Sequence, residues 1–514
     1  MSWDYNRTFE RARTDYDQTE GLTVTDVTRE IDFDNISRRH PRRVRGTHLY
    51  VEVDNFNRLL RIQEDDPEEM LRRLHILARE SSTVIGNDFD GFKVHFQGPK
   101  VHALAYRPVS SEVIMATKAT LIMLALKHVT TTFNDVLDLT PATHWCVRGG
   151  GDHGVSLATR SGTGGDQEML FLGSPANHAA KILSGTSVRV TAAVAELLPD
   201  EFDTYLSTPS SDDSVRIVTM VATQVEALAA DYGWTWTLER TRSRLEQAAI
   251  SHPAGCVTVS NATGPIDKDS LAISQTKRVR GVSVFADVDG FTSYIDDLGR
   301  RDADMVEAVR AFHVLRSTMR DAAVIDFDAL RIQYQGDRMQ ALCYQPVDDE
   351  VVAVLRAVEL AAALKTITDE ILPQVVAPEA AKPLAIGLAL GEVLVSRMGQ
   401  HGDPDDVVAI GPSVGQAAAI QQRLPGGTIG LSADTYAALP DWLQAAFIRD
   451  RSALAWVSDA LNYDRFVDLK VSESDAPGLA AATGALGTAA VGPAALLMVE
   501  DRVPPHELRP WCQR

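Results

Sequence analysis

Residues 330–347 read LRIQYQGDRMQALCYQPV, and residues 92–109 read FKVHFQGPKVHALAYRPV. Gln97, Gly98, Ala103, Leu104 and Tyr106 of the earlier stretch return as Gln335, Gly336, Ala341, Leu342 and Tyr344. Each stretch places a glycine turn between two apolar runs, the pattern of a β-hairpin. The likeness extends outward on both sides. THLYVEVDNFNRLL (47–60) precedes the first hairpin and VSVFADVDGFTSYI (282–295) the second. Downstream, FLGSPANHAAKIL (171–183) matches AIGPSVGQAAAIQ (409–421), and GTSVRVTAAVAELLPD (185–200) matches GTIGLSADTYAALPD (427–441). Four blocks in one order, at a nearly constant separation, make an internal repeat.

The repeat predicts two copies of one domain, at 46–217 and 277–470. Between them, 218–276 carries helical periodicity in MVATQVEALAADYG and LERTRSRLEQAA, then turn formers, and reads as a helical linker. Residues 1–45 form a polar N-terminal extension, and 471–514 an Ala/Gly-rich tail. Within a copy the order is strand, long helix, hairpin, long helix, strand, glycine turn, helix and short return strand. That β-α-β-β-α-β order predicts an α+β fold, a ferredoxin-like palm with an antiparallel sheet and helices on one face.

Composition narrows the function classes. The 514 residues carry 50 Lys+Arg against 70 Asp+Glu, a formal charge of −20. A general nucleic-acid binder needs a basic face to displace counterions, so that class is excluded. Four cysteines without disulfide or metal-ligand spacing fit a reducing cytoplasm. The N-terminus has no apolar signal region. The Ala/Gly run 476–499 is too weakly apolar to span a membrane. The 13 histidines show no His-x-x-x-His or His-Glu-x-x-His spacing, which removes a metal-hydrolase reading.

Two carboxylates carry the chemistry of the second copy. Asp287 ends its first strand and Asp337 sits in its hairpin turn. In this strand order the two meet at one end of the sheet. Paired carboxylates suit Mg2+ or Mn2+, with coordination positions left for phosphate oxygens.

FADVDGFT (285–292), followed by a strand–Gly-Asp–strand hairpin, resembles the class III nucleotidyl cyclases. The likeness covers both copies. It implies two fused cyclase domains forming an intramolecular pseudo-heterodimer, so that one chain suffices, with further dimerisation open. It assigns the metal set to Asp287, Val288 and Asp337, holding two ions, Mn2+ or Mg2+, with Asp289 as a helper. The other half-site of the family carries an Asn and an Arg on the helix after a glycine turn. Those positions are Asn177 and Lys181 in the first copy but Gly415 and Ala419 in the second. Conversely, Glu52 and Pro99 stand where the second copy has Asp287 and Asp337. Each copy lacks what the other keeps. The resemblance therefore implies one competent site that converts a nucleoside triphosphate to a 3′,5′-cyclic nucleotide and pyrophosphate. The mirror site, lined by Glu52, Pro99, Gly415 and Ala419, is expected to be catalytically dead, either binding a regulator or, as the favoured reading, packed shut.

For the base, adenylyl cyclases use a Lys and an Asp at the positions of Lys93 and Leu170, and leucine cannot accept from an adenine amine. The Pycsar pyrimidine cyclases, soluble class III relatives that act in anti-phage defence, are associated with an Arg/Tyr signature, and Arg331 with Tyr294 stands as its counterpart. Lys93, Phe291, Tyr294 and Arg331 are thus the substrate-binding candidates, and cyclic UMP or cyclic CMP the expected product. An adenylate cyclase and an inactive nucleotide-binding pseudo-cyclase remain the alternatives. A diguanylate cyclase is set aside, because GGGDHG (149–154) lacks the GG(D/E)EF order.

Overall fold

The computed structural model describes residues 3–62, 66–161, 168–209, 212–291, 294, 302–399 and 407–474. It contains two sheets of the same topology. In the first, the hairpin Phe92–Gln97 and Lys100–Ala105 lies beside Arg42–Val53, which pairs with Val147–Ser161 and then Val188–Thr191. In the second, Leu330–Gln335 and Arg338–Cys343 lie beside Thr276–Val288, then Leu384–Arg397 and Thr428–Leu431. The return strands Val188–Thr191 and Thr428–Leu431 pair parallel to their neighbours; the hairpins and the long central pairs are antiparallel.

Strand alternation explains how each sheet is covered. Val282, Val284, Ala286 and Val288 point to one face and bury against the helices Asp302–Asp321 and Glu350–Thr366. Phe285 points to the other face and packs with Ala389 and Ala417 under the helix Pro412–Gln421. The first copy repeats this: Leu49, Val51 and Val53 face the large core, while Tyr50 packs with Ala179 and Ala180 of Ser174–Lys181. Helices therefore cover both faces, not one as the strand order suggested. Fully burying a Val, Leu or Phe side chain contributes about 1.5–3 kcal/mol, so these two cores set the stability of the copies.

The long helices begin alike. Ser111 Oγ accepts from the Ile114 amide at 3.3 Å, and Asp349 Oδ1 accepts from the Val352 amide at 3.0 Å. The helix Glu112–Val136 is apolar on nearly all sides because it is enclosed. Among the described residues it is the one helix long and apolar enough to cross a membrane, and most of it is buried inside the protein.

The flanking segments attach to different copies. The linker helices Ala222–Asp231 and Leu238–Ser251 pack on the first copy through Val225, Ala229 and Leu245, with Trp236 of the turn between them. Arg244 there bridges Glu80 at 2.7 Å and Asp88 at 2.6 Å. The N-terminal helix Tyr5–Asp17 instead packs on the second copy. Arg7 reaches Asp326 at 2.9 Å, Tyr16 donates to Glu307 at 2.9 Å, and the Trp3 ring lies 4.4 Å from that of Tyr463. The first helix of the polar extension is thus a structural part of the distal copy, whereas Thr25–Asp26 pairs with the first sheet and Phe33 and Ile36 pack on the first copy. Of the Ala/Gly tail expected at 471–514, residues 471–474 end the helix Tyr463–Ser474, and 475–514 lie outside the described residues.

Candidate active site

Register brings the two carboxylates of the second copy together. Ala286 pairs with Met339 across the antiparallel strands, so Asp287 and the Gly336-Asp337 turn emerge at the same sheet end. Gly336 adopts φ 72°, the left-handed conformation that glycine accepts without strain. Asp287 is buried, and Gln421 Nε2 donates to its Oδ2 at 3.0 Å. Burial drives the Asp337 carboxyl well above the ordinary carboxylate range, and the Asp287 charge adds to this; Arg338 and Arg316 offset only part.

The first copy treats the equivalent place differently. Glu52 faces Arg148 across its strand pair, whereas Asp287 faces Ala385. Arg148 Nη2 lies 2.7 Å and Lys100 Nζ 3.8 Å from the Glu52 carboxylate. Burial alone would raise the Glu52 carboxyl, yet Lys100 and Arg148 hold it below its usual value. The first copy sets Lys100 and Arg148 beside its carboxylate, while in the second the Asp287 charge helps to raise the Asp337 carboxyl despite Arg338 and Arg316. The latter donor set fits a hard divalent cation. Among the described residues no group of three or more His, Cys, Asp or Glu is placed to hold a metal. A carboxylate pair leaves the remaining positions to water and phosphate.

The other candidates are placed as follows. Val288 has its side chain in the core, so that position offers only its backbone carbonyl. Asp289 Oδ2 accepts from the Gly426 amide at 2.7 Å. Phe291 is a core side chain, its ring 4.8 Å from Phe312. Tyr294 is half-buried on the same turn, with the Lys382 ammonium 5.8 Å from its ring centroid. Lys93, on the first hairpin, has Nζ 5.1 Å from the Phe96 ring centroid.

Arg331 is committed elsewhere. Its guanidinium pairs with Glu168 of the first copy, which also meets Arg316 Nη2 at 3.2 Å and accepts from the Tyr334 amide at 3.0 Å. Arg316 lies over the Tyr334 ring, 3.9 Å from its centroid. Burial alone would raise the Glu168 carboxyl, but Arg331 and Arg316 hold it below its ordinary value. Sequence reasoning missed Arg316 and Glu168, because they sit on a helix and a strand of different copies with no shared motif.

Asn177 and Lys181 lie one turn apart on Ser174–Lys181 and share its half-exposed side. The opposite side, Ala176, Ala179 and Ala180, is buried. The equivalent helix of the second copy abuts the first copy, since a Cβ at Gly415 would lie 2.9 Å from Asn57 Oδ1. The Asn177 and Lys181 helix rests on the central strands of its own sheet, and the expected second half of the site begins with the residues after Asp287. Part of that segment, 292–293 and 295–301, lies outside the described residues.

The mirror site is open, contrary to expectation. A cavity of about 170 Å³ is bounded by Glu52, Pro99, Gln333, Arg338, Gly415 and Ala419. The reason is side-chain size: Gly415 and Ala419 leave the space that an asparagine and a lysine occupy on the other helix.

No family model matches the chain. A curated uridylate cyclase from Pseudomonas aeruginosa is 28% identical over 98% of this chain and 98% of its own length. A second uridylate cyclase, from a Rhizobium species, is 26% identical over 75% of this chain and 76% of its own. Among solved structures, a class III adenylyl cyclase-like ATP-binding protein from Pseudomonas aeruginosa superposes with a TM-score of 0.76. It is 26% identical and covers 91% of this chain and 100% of its own.

Proposed function

We propose that this chain is a class III nucleotidyl cyclase that converts UTP to 3′,5′-cyclic UMP and pyrophosphate. One observation carries the reading to the residues: Glu52 is neutralised by Lys100 and Arg148, while its counterpart Asp287 faces Ala385 and crowds Asp337. A likeness to a uridylate cyclase over 98% of both chains supports the product.

In the reaction the ribose 3′-oxygen forms a bond to the α-phosphorus of the same nucleotide, and the bond from that phosphorus to the bridging β-oxygen breaks. Asp287, Asp337 and the Val288 carbonyl would hold Mn2+ or Mg2+, which supplies Lewis-acid stabilisation of phosphate charge and eases loss of the 3′-hydroxyl proton. Asn177 orients the ribose. Lys181 places a cation where negative charge gathers on the α-phosphoryl oxygens. Lysine does this as a point charge without the bidentate fork of arginine. Lys93 and Tyr294 frame the base, and Arg331 takes part only after exchanging Glu168 for substrate. Both half-sites come from one chain, so a monomer is competent. The product acts as a second messenger in Pycsar-type anti-phage defence.

Purified protein incubated with each of the four NTPs and Mn2+, with products resolved by mass, tests this. Cyclic UMP as the main product supports it. The solved relative described as ATP-binding favours a second reading, adenylate cyclase, which cyclic AMP as the main product would establish. Absence of any cyclic nucleotide would leave a nucleotide-binding pseudo-cyclase.

A further inference from the structure

We propose that Asp152 is a positioning residue for the helix that carries Asn177 and Lys181, acting through His178 and anchored by Thr191. The inference rests on the cyclase reading above for its kinetic consequence, and on geometry alone for its structural one.

The strand Val147–Ser161 sends Gly150, Asp152 and Gly154 to the face under Ser174–Lys181. A Cβ at Gly150 would run into the Ala179 carbonyl, and one at Gly154 would lie 2.8 Å from Pro175 Cγ. The helix therefore rests directly on backbone at both glycines. Between them stands one side chain, Asp152, itself buried. Its two oxygens are divided. Oδ1 accepts from Thr191 Oγ1 at 2.5 Å, and Oδ2 meets His178 Nδ1 at 3.2 Å. His178 immediately follows Asn177 on the helix. The carboxylate thus ties the return strand to the helix beside the residue that would meet the ribose.

The second copy is the internal control. Gly387 and Gly391 repeat the two glycines, and a Cβ at either would strike Ala417 or Ser413. Between them, however, lies Ala389, which simply packs with Phe285 and Ala417. The helix position of His178 is Gln416, and Ser432 spends its hydroxyl on the local Thr435 amide at 3.2 Å. The polar tie exists only in the copy that keeps Asn177 and Lys181. Where Gly415 and Ala419 have replaced them, an apolar seat suffices. This gives GGGDHG a role: the glycines admit the helix and the aspartate fixes its rotation. A small rotation or slide would displace Asn177 and Lys181 together, and misplacement of about 1 Å can cost roughly 100-fold in rate.

The test converts the first copy to the residues of the second. Asp152→Ala, His178→Gln and the double variant are compared with wild type for UTP turnover. The expected result is a fall in kcat of roughly 10- to 100-fold with KM changed less than about 3-fold. The double variant should be no worse than Asp152→Ala, because one device is removed twice. Unchanged kcat, multiplying losses, or a KM rise that matches the kcat loss would overturn the proposal. A readout independent of activity accompanies this: the imidazole nitrogens of His178 in 15N-histidine-labelled protein, assigned by their loss in His178→Gln. Asp152→Ala should shift the Nδ1 resonance; an unmoved resonance refutes the contact even if no NTP is cyclised. A shifted resonance in a protein that cyclises nothing would leave the contact standing and refute the cyclase reading.

Discussion

Replacing Glu168 by alanine should weaken the joint between the two copies more than its single charge suggests. The carboxylate, whose side chain is 12% exposed, comes from the first copy, while Arg316, Arg331 and the Tyr334 amide that surround it belong to the second. Removing it leaves two guanidinium groups in the interface, each almost fully buried and stripped of the carboxylate they share. Breaking a buried ion pair by deleting one partner costs about 3–5 kcal/mol. For a cooperative unit of 150–250 residues, each kcal/mol moves Tm by about 2–4 °C, so a fall of about 6–20 °C is expected. Differential scanning calorimetry at pH 7 reads it. The pH dependence has a fixed sign. The carboxyl of Glu168 is held below its ordinary value in the folded protein. Its stabilisation is therefore present above the unfolded value near 4.3 and lost as pH falls through the folded one. The gap between wild type and Glu168→Ala should be full at neutral pH and close in strong acid. A Tm within about 2 °C of wild type at pH 7 would refute the reasoning, and so would a gap that widens on acidification.

Other outcomes follow from the same geometry. Asp337→Asn should abolish cyclic product in the mass-resolved assay while leaving the fold intact by circular dichroism. Lys181→Ala should lower kcat on the order of 100-fold with a smaller effect on KM, since its cation acts where charge develops. Arg148→Ala should make the first copy less stable without lowering turnover, because it leaves Glu52 with Lys100 as its remaining close partner; urea unfolding and the cyclase assay separate the two. Trp3→Ala should cost about 3–5 kcal/mol in the second copy, read by the same denaturation, since that indole is buried against Tyr463.

The palm fold was legible because its signals are local and repeated. The hairpin turn, the alternation around Asp287 and the glycine before each short helix all lie within a few residues of what they control. The carboxylate pair was legible for the same reason, since strand order alone brings Asp287 and Asp337 to one sheet end. What escaped depends on distant partners. Nothing near Arg331 announces Glu168, and nothing near Asp289 announces the Gly426 amide. Glu52 looked like a decayed metal ligand; only the register opposite Arg148 explains why it is quiet. The helices on the second sheet face were missed because the element order does not say which face a short helix takes. Gly150 and Gly387 held that information, as positions where a helix lies on bare backbone.

The attachment of Tyr5–Asp17 to the second copy has a consequence for how the protein tolerates damage. The chain begins on one domain, builds the other, and then returns. A single proteolytic cut in the connection around 253–275 would therefore not release two independent halves. The amino-terminal fragment would still grip the carboxy-terminal one by its first helix as well as through the shared interface. Two modest contacts joined on one fragment act at high effective concentration, so the pair should stay together at dilutions that separate either contact alone. The arrangement is a clasp, and it would hold the two copies together in a nicked molecule as well as in an intact one.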